Sequence, residues 1–213
     1  MNISPSFEAL DQLIKHQVNN FFLLSDNESL IIDYCLPSAL DATENCFKHS
    51  KNKYYSSNNQ VFFSIYHSGQ YCIFLYFLAR QVFTNYPKER DLADKIYYLN
   101  KALNGLDLFY EVNMPKIFHL DHPVGSVMGR ATYGNNFSFN QLCTVGNNKG
   151  VFPTIGENVK MYSGSKILGN SKIGNNVHIS ANCYIKDEDI PDNSIVFGSS
   201  PNLVIKKQNK GMN

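Results

Sequence analysis

The chain has little charge and almost no imbalance of it: of 213 residues, 17% are charged, and the formal net charge is +1. Such a surface does not attract nucleic acid or an anionic membrane through its overall field, so any anion site has to be local. A cysteine framework is lacking as well. Cys35, Cys46, Cys72, Cys143 and Cys183 are odd in number, with no CxxC pair and no Cys/His cluster. That argues against a disulfide scaffold or a zinc site and favours a reducing compartment. No long apolar run is present: residues 71–79 form the longest, and Arg80 closes it far short of a bilayer span. Residues 1–5 lack the basic and apolar regions of a signal peptide. The expectation is a soluble, cytoplasmic protein with one sizeable core or two small domains.

What is present divides at about residue 106. Residues 4–106 read as helical. Ser6 suits an N-cap, with Phe7, Leu10, Leu13, Ile14 and Val18 as an apolar stripe behind it. A second helix is expected over residues 26–35, and Pro37 with Ser38 restarts a third to about Lys48. Residues 49–59 are polar and read as a linker. Residues 60–82 are apolar nearly all round, which predicts a buried helix, interrupted by a polar break from Tyr66 to Tyr71. His67 in that break either reaches an acceptor or is bonded internally at a kink. Residues 91–106 predict another amphipathic helix, with Leu92, Ile96, Leu99, Leu103 and Leu106 on one side.

From residue 127 to residue 189 the period changes to six. Val127, Tyr133, Phe139 and Val145 are spaced by six, and so are Ile155, Met161, Ile167, Ile173, Ile179 and Ile185. A six-residue period fits neither a helix nor an alternating strand. It fits a solenoid in which each hexad is a short strand plus a corner, and the stacked corners bury one apolar column. Gly134, Gly146, Gly156 and Gly174 follow column residues and are expected to serve tight corners. Val145 to Ile155 is ten residues, a hexad plus four, so four extra residues somewhere within 147–153 must leave the solenoid as a loop, where function often resides.

The hexads resemble those of the hexapeptide-repeat acyltransferases, and particular residues resemble the serine acetyltransferases among them. In those enzymes a helical domain leads into the repeat, an Asp-Ile-His-Pro segment follows, and Leu-Asp-His comes fifteen residues later. Here Asp107-Leu108 begins the matching stretch and Leu120-Asp121-His122 ends it at that spacing. Residues 123–129 match the family's Ala-Thr-Gly-Ile-Val-Ile-Gly loosely, and Pro153-Thr154-Ile155-Gly156 resembles its Pro-Lys-Ile-Gly. Lys166-Ile167-Leu168-Gly169-Asn170 is identical to a run common there. The resemblance covers residues 60–207. It implies an α+β chain: a helical N-terminal domain (1–106), a left-handed parallel β-helix (107–205) and a short tail (206–213).

It also implies acetyl transfer from acetyl-CoA, without a metal. Attack on a thioester requires the acceptor to lose a proton, and histidine, with an ordinary pKa of about 6.5, takes it at neutral pH. The resemblance makes His122 that base and Asp107 the carboxylate that orients it; a histidine merely capping a corner is the plain alternative. Asp121 resembles an acceptor-binding carboxylate, or else is a solvated corner residue. His119, three residues before His122, is a lesser candidate for the base. For CoA the matching positions are Gly164, Ser165, Ser180 and Ala181, then Ser199 and Ser200 in place of the family's Gly-Val-Pro-Ala turn. Lys206, Lys207 and Lys210, with Lys166 behind them, are cations for its phosphates or simply a solubilising end. Cys143 and Cys183 read as packing residues. A homotrimer, paired into a hexamer in some relatives, is implied because the family binds CoA between β-helices.

Two departures concern the acceptor. Phe152 stands where the family has a second histidine, and phenylalanine neither donates a hydrogen bond nor carries charge. No Asp-Pro pair precedes Tyr54 and Tyr55, where the family carries one. An aromatic at Phe152 suits a sugar or nucleotide face, so a sugar hydroxyl or amine of surface-polysaccharide synthesis is the expected acceptor. The alternatives are a divergent serine O-acetyltransferase and a non-catalytic structural subunit. A γ-class carbonic anhydrase needs three zinc histidines, and His119, His122 and His178 are not spaced to supply them.

Overall fold

The computed structural model describes residues 1–50, 52–58 and 60–208. The chain divides into two compact units, Met1–Glu111 and Val112–Asn213.

The first unit is helical. β1 (Asn2–Ser4) leads into α1 (Phe7–Phe21), which Ser6 caps by accepting the Ala9 N–H, and Leu10, Ile14 and Val18 bury its inner face. α2 (Asp26–Lys48) opens on a reciprocal capping box between Ser25 and Glu28. It runs unbroken through Pro37, where sequence reading expects two helices. The reason is burial: Ile31, Ile32, Cys35, Leu36, Ala39, Leu40, Cys46 and Phe47 continue one face across the proline, which is itself exposed. That continuous face outweighs the roughly 3 kcal/mol an interior proline costs.

β2 (Ser56–Ser57) and β3 (Gln60–Ser64) follow, and β3 pairs with both β1 and β2. Residues 60–64 are thus a strand, not the start of a helix: Val61 and Phe63 are buried in alternation, and Val-Phe-Phe packs well on a pleated surface. α3 (Ser68–Asn85) begins after the turn and is buried on nearly every side, residues 71–79 without exception. α4 (Arg90–Asn104) packs on α3, buries Leu92, Ile96 and Leu99, and ends at Gly105, left-handed at φ 64°. β4 (Asp107–Leu108) closes the unit. Among the described residues no helix is long and apolar enough to cross a membrane.

The second unit is a left-handed parallel β-helix with three short strands per coil. The first coil holds β5 (Phe118–Leu120), β6 (Val127–Met128) and β7 (Thr132–Tyr133). The second holds β8 (Phe137–Phe139), β9 (Thr144–Gly146) and β10 (Thr154–Ile155). The third holds β11 (Lys160–Met161), β12 (Lys166–Leu168) and β13 (Lys172–Ile173). β14 (His178–Ile179), β15 (Tyr184–Lys186) and a bridge at Ile190 make the fourth. β16 (Ser194–Ser199) starts a fifth coil, and β17 (Asn202–Lys207) folds back on it antiparallel.

Ile155 pairs with Ile173, Met161 with Ile179, and Ile167 with Ile185, each pair eighteen residues and therefore three hexads apart. One coil lower the offset is twenty-two, as in Val145 with Ile167, because four extra residues within 147–153 are extruded. The apolar column runs as the period predicts except at its start. Val127 is 41% exposed, whereas Met128 is buried and pairs with Val145. The column steps from Leu120 to Met128 in eight residues and on to Tyr133 in five, so the first coil departs from the hexad twice.

The column glycines also do something other than expected. None of Gly134, Gly156 and Gly174 has positive φ. They are small because consecutive coils meet there: a methyl at Gly134 would stand 2.5 Å from Gly156 backbone, and one at Gly156 would stand 2.8 Å from Gly174 backbone. Left-handed corners fall to other residues. Asn136, Asn158, Asn176 and Asn193 (φ 55–60°) turn one edge, and their amides form a ladder with steps of 3.0, 3.0 and 3.1 Å. Asparagine tolerates that backbone, and stacking satisfies its amide as well.

Candidate functional site

The three strand stacks meet at three edges. The asparagine ladder forms one. A second, between the β5 and β6 stacks, turns at Gly125, Leu142, Gly164 and Asn182, each three residues before a column residue and each with positive φ. A third, between the β6 and β7 stacks, turns at Lys149–Gly150, Gly169 and Asp187.

His122 lies on the second edge, in the first coil, where the chain spends two residues more than a hexad. Its backbone is left-handed (φ 52°), which is uncommon for a histidine, and its carbonyl accepts the Val124 N–H at 2.8 Å. The corner around it is tied to the coil above: Asp121 N–H donates to the Phe139 carbonyl, Leu142 N–H donates to that of Val124, and Ser126 Oγ bridges Asn140 O and Cys143 N–H. A rigid corner thus presents an exposed imidazole.

Asp121 is partnered by His119: Nε2 and Oδ1 are 2.9 Å apart. The His119 hydrogen bond holds the Asp121 carboxyl below its usual range against the opposing effect of burial, and the charges of Lys160 and His122 add to it. Sequence reasoning treats His119 only as a rival to His122. The signal was available, since residues two apart in a strand share a face. Further along that outer row stand Ser138, Lys160 and His178. Burial and the Lys160 charge push His178 below its ordinary pKa.

Gly164, Ser165, Ser180 and Ala181 fall on the His122 edge, two and three coils further up. Gly164 is left-handed (φ 74°) beneath Asn182, and its carbonyl accepts from Lys166 Nζ at 3.0 Å. Ser165 is fully buried with its hydroxyl 3.6 Å from Cys143 Sγ, so only backbone there can meet a ligand. Ala181 is exposed. Ser200 Oγ accepts the Lys186 N–H at 3.0 Å, and Ser199 ends β16 at the hairpin. Lys206 and Lys207 lie on β17, the former over the Phe197 ring at 5.6 Å. Lys210 lies outside the described residues.

Phe152 is on another edge. The extruded loop is a tight turn: Asn148 and Val151 exchange both backbone hydrogen bonds at 3.0 Å, and Lys149 and Gly150 are left-handed between them. Val151 and Phe152 are 45% and 42% exposed. Within one chain, His122 and Phe152 therefore occupy different edges.

The remaining candidates belong to the helical unit. Asp107 accepts from Tyr97 Oη and Lys101 Nζ, both at 2.6 Å. Burial pushes its carboxyl up, but those two partners outweigh it and hold the pKa below the ordinary value. His67 is the N-cap of α3, its imidazole accepting the Gln70 N–H at 3.3 Å and lying edge-on to Tyr55. Among the described residues no group of three or more histidine, cysteine or carboxylate side chains could hold a metal.

The bacterial transferase hexapeptide model (six repeats) matches residues 152–187. A serine acetyltransferase of Staphylococcus epidermidis is 30% identical over 149 residues, 68% of each chain. Entamoeba histolytica serine acetyltransferase isoform 3, solved in complex with cysteine, has a TM-score of 0.64 at 25% identity, covering 95% of this chain and 74% of that one. A serine acetyltransferase in complex with CoA has a TM-score of 0.67 at 19% identity, covering 93% and 83%.

Proposed function

Because this chain belongs to the serine acetyltransferase family, we propose that it transfers acetyl from acetyl-CoA to the hydroxyl of L-serine. The observation that carries this reading is the exposed imidazole of His122, held by a rigid corner on the edge that also carries Gly164, Ser180 and Ala181. The imidazole accepts the proton of the acceptor hydroxyl as its oxygen attacks the thioester carbonyl. Collapse of the tetrahedral adduct breaks the C–S bond, and the proton leaves with the CoA thiol. Asp107 is kept anionic within the helical unit by Tyr97 and Lys101. Asp121 suits the serine ammonium, with His119 fixing its rotamer. The pantetheine arm runs along the small residues of the His122 edge.

Serine is preferred to the sugar expected from the sequence because the relatives at 29–30% identity are serine acetyltransferases. One observation favours a sugar as second reading: Phe152 offers an exposed ring in the extruded loop. With His122 and Phe152 on different edges, they share a site only if one copy's His122 edge meets another's loop edge. A homotrimer does this with three equivalent contacts.

The test is CoA-thiol release from acetyl-CoA, with L-serine beside nucleotide-linked amino and deoxy sugars. The control is His122→Asn, because asparagine keeps the left-handed backbone but takes no proton at neutral pH. Turnover with serine that falls about 10²–10⁴-fold in the variant supports the reading. Turnover with sugars alone replaces serine by the second reading, and an unimpaired variant removes His122 from the chemistry.

A further inference from the structure

The extruded loop is fastened to the solenoid at its end, where the Thr132 N–H donates to the Pro153 carbonyl at 3.1 Å, and near its start by a side-chain clip. Asn148 Nδ2 donates to Asp187 Oδ2 at 2.6 Å across thirty-nine residues. The other carboxylate oxygen, Oδ1, accepts the Asn170 backbone N–H at 2.8 Å, and Asp187 N–H donates to the Leu168 carbonyl at 3.1 Å. Asp187 itself is left-handed (φ 56°), which turns its side chain back along the edge toward the coil below. Gly169 lies beneath, where a methyl group would stand 2.0 Å from Asp187 Oδ1 and 2.7 Å from Asn148 Cβ. Gly169 N–H also donates to the Gly146 carbonyl at 3.0 Å, just where the loop departs. Three successive coils therefore converge on the base of the loop, and Asp187 is the group that ties them.

The tie has a consequence for Phe152. Asn148 is the first residue of the tight turn and Val151 the last, so fixing Asn148 fixes the turn and the direction in which residue 152 leaves it. Val151 and Phe152 are both exposed, between the Asn148 clip and the backbone bond at Pro153.

We propose that Asp187 is a positioning residue that clips the extruded loop through Asn148 and thereby sets how the loop meets the acceptor. This rests on the acetyl-transfer reading above. Since Asp187 touches only the loop and its own edge, loosening it acts on acceptor binding and not on proton transfer or on the CoA donor.

Four variants separate the clip from general damage. Asp187→Ala removes both acceptor oxygens. Asn148→Asp sets two carboxylates against each other. Asp187→Asn is conservative, since asparagine tolerates the left-handed backbone, still accepts from Asn170 and meets a flipped Asn148 amide. The double swap Asn148→Asp/Asp187→Asn restores a donor opposite an acceptor with the polarity reversed. Two readouts are taken on the full chain: hydrogen exchange of residues 147–153, and the KM for acceptor and for acetyl-CoA with kcat. In Asp187→Ala and Asn148→Asp, loop exchange and the acceptor KM rise about tenfold, with kcat and the acetyl-CoA KM within about twofold of wild type. Asp187→Asn and the double swap return close to wild type.

Unchanged loop exchange in Asp187→Ala overturns the clip. A loosened loop with an unchanged acceptor KM overturns its role in recognition, and so does a double swap no better than Asn148→Asp alone. A wild-type chain inert toward serine and every sugar sinks the acetyl-transfer reading and the recognition half with it, while the exchange arm still reads the clip by itself.

Discussion

Alanine at Gly156 and alanine at Gly146 are predicted to move stability in opposite directions, although both glycines follow a column residue. At Gly156 a methyl would stand 2.7 Å from Asn175 Oδ1 and 2.8 Å from the carbonyl carbon and oxygen of Gly174. Ordinary contacts between such atoms are about 3.5 Å, so the coils must part by more than half an ångström against a ladder spacing of about 4.8 Å. Two of the three atoms are backbone and take no new rotamer. At Gly146 the nearest atom is Leu168 Cδ2 at 3.6 Å, an ordinary contact. Neither glycine has positive φ, so backbone strain is the same for both.

Overpacking of this kind costs about 1–3 kcal/mol, offset by about 0.4–1 kcal/mol from the less flexible unfolded chain. Gly156→Ala is thus expected to lose about 1–2 kcal/mol net, and Gly146→Ala to gain up to about 1 kcal/mol. For a chain of 213 residues the loss corresponds to a fall in Tm of about 2–8 °C. Urea and thermal midpoints are compared at one protein concentration, because association shifts apparent stability. If Gly156→Ala is as stable as wild type, or Gly146→Ala equally damaged, coil stacking is not what selects glycine in this solenoid.

Asn158→Gly keeps the left-handed corner but loses both ladder hydrogen bonds, whereas Asn158→Ala loses the bonds and is strained besides; urea midpoints should fall in the order wild type, glycine, alanine, with the last about 1–2 kcal/mol below glycine. Pro37→Ala restores the missing N–H of an exposed site within α2 and should raise stability, by about 2 kcal/mol once the freer unfolded chain is counted, read from the denaturation midpoint. Asp107 has a depressed carboxyl pKa in the folded chain, so its contribution to stability is complete above the ordinary aspartate value of about 3.9 and is lost as pH falls through the lower folded value. Lys101→Met should shift that loss to higher pH, read from urea midpoints between pH 3 and 6, and an unshifted profile would show that Lys101 does not hold the carboxylate.

The solenoid was legible because a period of six has no competing explanation, and its coils hold the eighteen-residue register wherever the hexads are unbroken. Helices with a clear stripe, such as α1 and α4, were legible for a similar reason. Residues 60–64 were not, since an apolar run that short reads equally as strand or helix until a partner such as β1 is known. Pro37 misled because a local penalty was weighed without the buried face on either side of it. The role of Asp187 has no local signature: it depends on Asn148, thirty-nine residues away, being brought to the same edge by the fold.

Val127 hid the other departure. It fits the count of six, and only the pairing of Met128 with Val145 shows that the first coil takes two residues more at one corner and one fewer at the next. Gly125 occupies the left-handed position that Leu142, Gly164 and Asn182 hold in later coils, so hexad geometry does not require positive φ at His122. An unrequired backbone outlier, braced by hydrogen bonds to and within its corner, is a site where local preference yields to something else. Two of the places where this solenoid breaks its period are the corner that presents the candidate base and the loop that presents Phe152. A repeat supplies a rigid frame cheaply, and chemistry has to be carried by the residues the repeat does not need.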